Sequence, residues 1–299
     1  MTGVNRMIAK KILSLIIVFL AFISPFVTAA PIQVLCAENF YGQVVKELGG
    51  PHVSVTSVIT HVSGDPHLFS IQPGVLIKAA SADLIIFNGA DYDPWIKSIL
   101  SNTARKHPLV LEAARLMNIK NGSNPHIWFM PQTMPVLARH VTDALTQLDP
   151  AHGDDYARQL KHFNDSYGAV LKKVDNLQKQ FHGTPVIATE PLFNYMTDAI
   201  GLKMLGSGFQ NSIMNDIPPT VSQIREFENA LNEHKAKVFI YNNQVINPMT
   251  EKMLALAKEQ HIPVVGVSEI MPSDTTFTAW IMEQLAKLDN ALNQKQENK

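Results

Sequence analysis

Two short stretches place a histidine directly after a proline, among turn residues and ahead of bulky apolar ones. They are "SGDPHLFSIQP", with His67, and "SNPHIWFMP", with His126. Two glutamates close β-branched runs further along: Glu190 ends "TPVIATE" and Glu269 ends "IPVVGVSE". Neutral imidazoles and carboxylates are metal ligands. Two of each compensate a divalent charge and offer mixed nitrogen and oxygen donors. Such a set suits zinc, manganese or ferrous iron better than calcium or magnesium, which take all-oxygen shells. Each residue also has an ordinary reading. A turn histidine needs no metal, and Glu190 before Pro191 and Glu269 both suit the positive start of a following helix. Asp274 competes with Glu269 for the last position, and His61 stands six residues before His67 as a candidate supporting group.

What must position these residues is an alternation of strands and helices. "IQVLCAE", "VSVTSVI", "ADLIIFNG" and "PLVLEA" read as strands, separated by helical stretches such as "FYGQVVKELGG", "PGVLIKAAS" and "DPWIKSIL". This order predicts an α/β lobe with mostly parallel strands. A helix over 131–148 closes it. Asp149-Pro150 then reads as an N-cap followed by proline at the first helical position. Beyond it Tyr156, Leu160, Phe163, Tyr167, Val170, Val174, Leu177 and Phe181 step by three or four. The spacing predicts one amphipathic helix on the order of 45 Å long, a spine between lobes. Afterwards "TPVIATE", "AKVFIYNN" and "IPVVGVSE" predict strands. "PLFNYMTDAIG", "TVSQIREFENALNEH", "PMTEKMLALAKEQH" and "TFTAWIMEQLAKLDNAL" predict helices.

The expected organisation is a leader over 1–30, an N-terminal lobe over 31–149, a linking helix over 150–182 and a C-terminal lobe over 183–299. A chain of 299 residues exceeds the size at which one core stops growing, which favours two lobes. Ligands of open α/β sheets bind beyond the carboxyl ends of the strands. His67 and His126 from the first lobe and Glu190 and Glu269 from the second therefore face one cleft.

Arg6, Lys10 and Lys11 precede "ILSLIIVFLAFISPFV" and then "TAAP", the pattern of a secretory signal peptide cleaved after Ala29 or Ala30. Its apolar run is short for a membrane span and is interrupted by Pro25. Loss of those three bases leaves 22 Lys and Arg against 26 Asp and Glu, a net charge of −4. No block of like charge suggests nucleic acid. Cys36 is the one cysteine, so no intramolecular disulfide forms, and its "IQVL" context reads as strand rather than a lipidation site. A soluble periplasmic monomer is expected, with no membrane insertion after cleavage.

The segments "GDPHLFSIQP", "SADLIIFNGADYDPWI", "NPHIWFMP", "EPLFNYMTDAIGL" and "VVGVSE", in this order, resemble the periplasmic metal-binding proteins of zinc and manganese ABC transporters. The resemblance runs from about residue 32 to about 290. It implies two α/β lobes joined by a rigid helix, with the metal held between them. It places ligands at His67, His126, Glu190 and Glu269. The fourth position, commonly aspartate in that family, is a longer glutamate here. Two carboxylates, and no His-rich insert between His67 and His126, lean towards manganese over zinc. The implied function is capture of a divalent metal, Zn2+ or Mn2+, and delivery to a membrane permease, without catalysis. Two rival readings are an exported metallohydrolase and a metal-binding adhesin. Neither HExxH nor GxSxG occurs to support the first, and no repeats support the second.

Overall fold

The computed structural model describes residues 30–60, 69, 71–102, 107–244 and 247–294. His61, His67 and the expected leader lie outside the described residues. Two four-stranded parallel sheets form the framework. The first contains β1 (Ile32–Glu38), β2 (Val53–Ile59), β3 (Leu84–Phe87) and β4 (Leu109–Glu112), in the order β2-β1-β3-β4. The second contains β5 (Pro185–Ala188), β6 (Lys203–Leu205), β7 (Val238–Asn242) and β8 (Val264–Val267), in the order β6-β5-β7-β8. The two lobes thus repeat one topology. In each, the strand order reverses beside the first strand, β1 or β5, and the crevice at that switch point opens beyond the strands' carboxyl ends.

Parallel strands are covered on both faces, which explains their unbroken apolar runs. Val34, Leu35, Cys36 and Ala37 of β1 are all buried, whereas β2, an edge strand, is only half-buried along most of its length. Helices α1 (Asn39–Gly49), α2 (Pro73–Ser81), α3 (Ile96–Asn102), α4 (Ala113–Leu116) and α5 (Thr133–Leu148) complete the first half. The second half adds α7 (Asn194–Ile200), α8 (Ser207–Met214), α9 (Val221–Asn232), α10 (Pro248–Glu259) and α11 (Phe277–Asn293).

Between the sheets runs α6 (Gly153–Phe181), 29 residues long. Its apolar stripe is the predicted one: Tyr156, Phe163, Tyr167, Val170, Val174 and Leu177 are buried, and Leu160 and Phe181 are half-buried. Asp154 and Asp155 in the first turn and Lys179 in the last complement the helix dipole. The start differs from expectation. Pro150–His152 forms a separate 3-10 turn, and Asp149 makes no side-chain cap bond. Its carboxylate instead accepts from the Tyr156 hydroxyl at 2.8 Å and pairs with His152. The sequence reading also passed over β6 and α8. A three-residue strand shows no period, and "SGFQNSIM" carries too little apolar spacing to announce a helix.

The spine is not the sole link between the lobes. One continuous core contains Phe40, Trp128 and Phe129 from the first half and Leu192, Phe193, Phe277 and Trp280 from the second. Ring centroids lie 4.9 Å apart for Phe129 and Phe193, and 5.5 Å apart for Phe129 and Trp280. Asn39 Nδ2 donates to the Met271 carbonyl at 2.5 Å, and Phe277 N donates to Gln43 Oε1 at 2.9 Å. Lys173 on the spine pairs with Asp289 on α11. Prising the lobes apart would expose these rings, at roughly 1.5–3 kcal/mol for each large apolar side chain.

Candidate metal centre

His126 lies in the connection just before a 3-10 turn, Ile127–Phe129, and is 2% exposed. The sequence around it decides its tautomer. Asn124 Nδ2 donates to the Pro191 carbonyl at 2.7 Å, which fixes the amide orientation. Asn124 Oδ1 then faces the His126 backbone N at 3.1 Å and the ring Nδ1 at 2.7 Å. An amide oxygen only accepts, so Nδ1 carries the proton and the lone pair falls on Nε2. Nε2 lies 4.0 Å from Glu269 Oε1. Histidine and glutamate from opposite lobes thus meet in a buried position. A supporting oxygen that fixes the imidazole in its ligating form is the usual arrangement behind metal-bound histidines.

Glu269 follows β8 and is 4% exposed. Its carboxylate is oriented from both sides. Tyr92 Oη of the first lobe donates to Oε1 at 2.8 Å, and Asn242 Nδ2 at the end of β7 donates to Oε2 at 2.8 Å. The backbone N–H groups of Glu269 and Ile270 both donate to Gln244 Oε1, at 2.6 and 2.8 Å, which pins the loop. Asp274, the competing carboxylate, is exposed. Glu190 stands two residues past β5 in extended backbone and is largely buried. It precedes the 3-10 turn Pro191–Phe193 without capping it through its side chain. His126 and Glu269 are therefore brought together, Glu190 sits at the switch-point strand β5, and His67 falls outside the described residues.

Tyr92 reaches Glu269 from an unusual turn. Gly89, Ala90 and Asp91 all have positive φ, at 77°, 51° and 62°. Glycine adopts this freely; Ala90 and Asp91 do so at about 1–2 kcal/mol each. The turn is held by Asp93, whose carboxylate accepts from Asn88 N at 2.7 Å and Gly89 N at 2.9 Å. Gly122 N donates to Asp91 Oδ2 at 3.0 Å as a further tie. Such strained turns cluster at functional sites, and this one adjoins Tyr92, which holds Glu269.

Beneath the turn lies a group that the strand-end reasoning passed over. Glu38 ends β1, the topological counterpart of β5 and Glu190, and is wholly buried. Burial first, and then the charge of Asp93, push its carboxyl well above the usual carboxylate range. Asp93 is raised to about 6 by burial, opposed by the N–H groups of Gly89 and Asn88. Burial also raises the Tyr92 hydroxyl, with Glu269 adding to it, so Tyr92 stays a donor. Tyr92, Asn124, Asn242 and Gln244 are the supporting residues that the sequence reading missed. Asn124, two residues before His126, had a usable signal, because asparagine commonly turns back onto groups two residues on.

A family model described as ZnuA, zinc-uptake complex component A periplasmic, matches residues 34–291. The iron-binding protein YfeA of Yersinia pestis is 24% identical over 247 residues, covering 78% of this chain and 76% of its own. The manganese ABC transporter substrate-binding lipoprotein PsaA of Streptococcus mitis is 22% identical over 317 residues, covering 97% and 96%. Among solved structures, the periplasmic zinc binding protein TroA from Treponema pallidum superposes with a TM-score of 0.73 at 15% identity, over 89% of this chain and 100% of that one. The laminin-binding protein Lbp of Streptococcus pyogenes gives 0.72 at 21% identity, over 89% and 100%. Both show the same two-lobed fold. With 34–291 spanning both sheets and the helix between them, the chain belongs to the family of the periplasmic component A of zinc-uptake complexes.

Proposed function

We propose that this protein captures a divalent transition metal, zinc or manganese, between its lobes and delivers it to the membrane permease of an ABC transporter. His67, His126, Glu190 and Glu269 are the proposed ligands. The observation that carries this reading is the buried approach of His126 Nε2 to Glu269 Oε1 at 4.0 Å. Two ligand atoms about 2.0–2.2 Å from one metal lie some 3–4 Å apart, so little movement is needed for both to bind. Neutral imidazoles with two carboxylates balance a divalent charge, whereas an unpaired cation in so dry a site would be costly. The metal is cargo, and no catalytic turnover is assigned. Names of relatives that bind iron and manganese support a transition metal as the cargo class.

Export by residues 1–30, action in the periplasm as a monomer and docking to a permease complete the proposal. Several relatives are named lipoproteins. The full burial of Cys36 in the middle of β1 supports a form without a lipid at that residue. The test is elemental analysis of protein purified from metal-defined medium. Wild type is expected to hold a tightly bound metal in the cleft, and His126→Ala and Glu269→Ala to lose that equivalent while remaining folded by circular dichroism. Full retention of metal by both variants would overturn the assignment.

A further inference from the structure

A second group of metal-capable side chains lies away from the cleft. His52 immediately precedes β2, at the amino ends of the parallel strands, whereas the cleft residues follow carboxyl ends. Asp149 and His152 stand in the turn between α5 and α6, and Asp155 lies in the first turn of α6. Ring or carboxylate atoms of His52, Asp149 and His152 all lie within 4.8 Å of one another. His152 Nδ1 is 2.6 Å from Asp149 Oδ2, and His52 Nε2 is 3.5 Å from Asp155 Oδ2. The two imidazoles stack, with centroids 3.8 Å apart and planes at 24°.

We propose that His52, Asp149, His152 and Asp155 form a second divalent transition-metal site, independent of the cleft. The two imidazoles come from separate segments, His52 just before β2 and His152 just before α6. His52, Asp149 and His152 make a compact two-nitrogen, one-oxygen set, and Asp155 Oδ2, 3.5 Å from His52 Nε2, is a further oxygen donor beside it. Such a set favours zinc, copper(II) or nickel over calcium and magnesium. Its side chains are 18–40% exposed, open enough for an ion to arrive. Surrounding groups hold it in shape. Tyr156 Oη donates to Asp149 Oδ2 at 2.8 Å, and the Tyr156 ring meets His52 edge-on at 5.8 Å. Arg158 binds the other oxygen of Asp155 and leaves Oδ2 towards His52. Stacked rings direct their nitrogens along parallel planes, so binding must splay them. Tetrahedral geometry puts two ligand nitrogens about 3.4 Å apart on diverging rings. A metal there would clamp the start of β2 to the start of the spine.

The experiment is titration of Zn2+ into full-length metal-stripped protein by calorimetry, in four forms: wild type, the cleft variant His126→Ala/Glu269→Ala, the variant His52→Gln/His152→Gln, and the combination. Two equivalents are expected in wild type, one in each double variant and none in the combination. The cleft variant should also gain thermal stability with zinc, and the combination should not. His152→Gln alone should weaken the remaining equivalent of the cleft variant at least 100-fold. Melting curves without metal check folding. An unchanged stoichiometry after His52 and His152 are replaced, or no equivalent in the cleft variant tighter than about 100 μM (roughly −5.5 kcal/mol), overturns the proposal. A cleft variant that binds as much zinc as wild type would instead count against the cleft reading, so the two failures are separable.

Discussion

Replacing Tyr92 with phenylalanine tests the bond by which the first lobe orients a second-lobe carboxylate. Tyr92 is fully buried, and its hydroxyl donates to Glu269 Oε1 at 2.8 Å. Tyr92→Phe keeps the ring, and so keeps its edge contact with Trp128 at 4.9 Å, while deleting only the donor. Glu269 retains Asn242 on its other oxygen. A hydrogen bond to a charged group contributes about 1.5–3 kcal/mol. In a chain of this size 1 kcal/mol shifts Tm by about 2–4 °C, so the metal-free protein should melt roughly 3–12 °C lower. Loss of a group that orients a ligand also lowers metal affinity, typically about 10–100-fold. Differential scanning fluorimetry of stripped protein reads the first effect, and calorimetric titration reads the second. A metal-free Tm within about 1 °C of wild type, the smallest shift that the hydrogen-bond argument allows being larger, would refute the reasoning.

Two further outcomes follow from buried titratable groups. Glu38 and Asp93 keep protons in the folded chain that the unfolded chain releases near pH 4, so the native state binds more protons and their contribution to stability falls as pH rises from about 4 through 6 and beyond. Glu38→Gln keeps the size of the side chain and removes one of the two titrations. Urea unfolding from pH 5 to 8 should show a shallower fall of stability with pH in the variant than in wild type. Parallel curves would contradict a raised Glu38 carboxyl in the folded chain. Cys36 is fully buried, and burial pushes its thiol far above the ordinary range. It should therefore react with a thiol reagent only at the rate of unfolding, and rapid labelling of native protein would show that β1 opens locally.

Much of this architecture was legible in the chain itself. The period of Tyr156 to Leu177 required a long half-buried helix whatever it packed against, because a stripe at 3.6-residue spacing can be buried only along one face. The runs around Val34, Ile85 and Val186 had the unbroken apolarity of strands covered on both sides. Glu269 was legible as a strand-end carboxylate, and burial separates it from exposed Asp274. What stayed hidden depended on groups far apart in sequence. The Glu269–Tyr92 bond spans 177 residues, and no local pattern marks Tyr92 as its donor. The consecutive positive φ angles over Gly89, Ala90 and Asp91 are equally silent, since alanine ordinarily avoids that region.

The elements and the residues that close them could be read along the chain, because periodicity and turn chemistry act over a few neighbouring residues. Tertiary packing set the rest: His126 turns its lone pair towards Glu269, Glu38 is buried beside the charge of Asp93, and His52 stacks on His152. Each of these depends on where two distant segments come to rest. Dryness and hydrogen-bond geometry, which set ligand form and protonation, exist only once the core has closed around them.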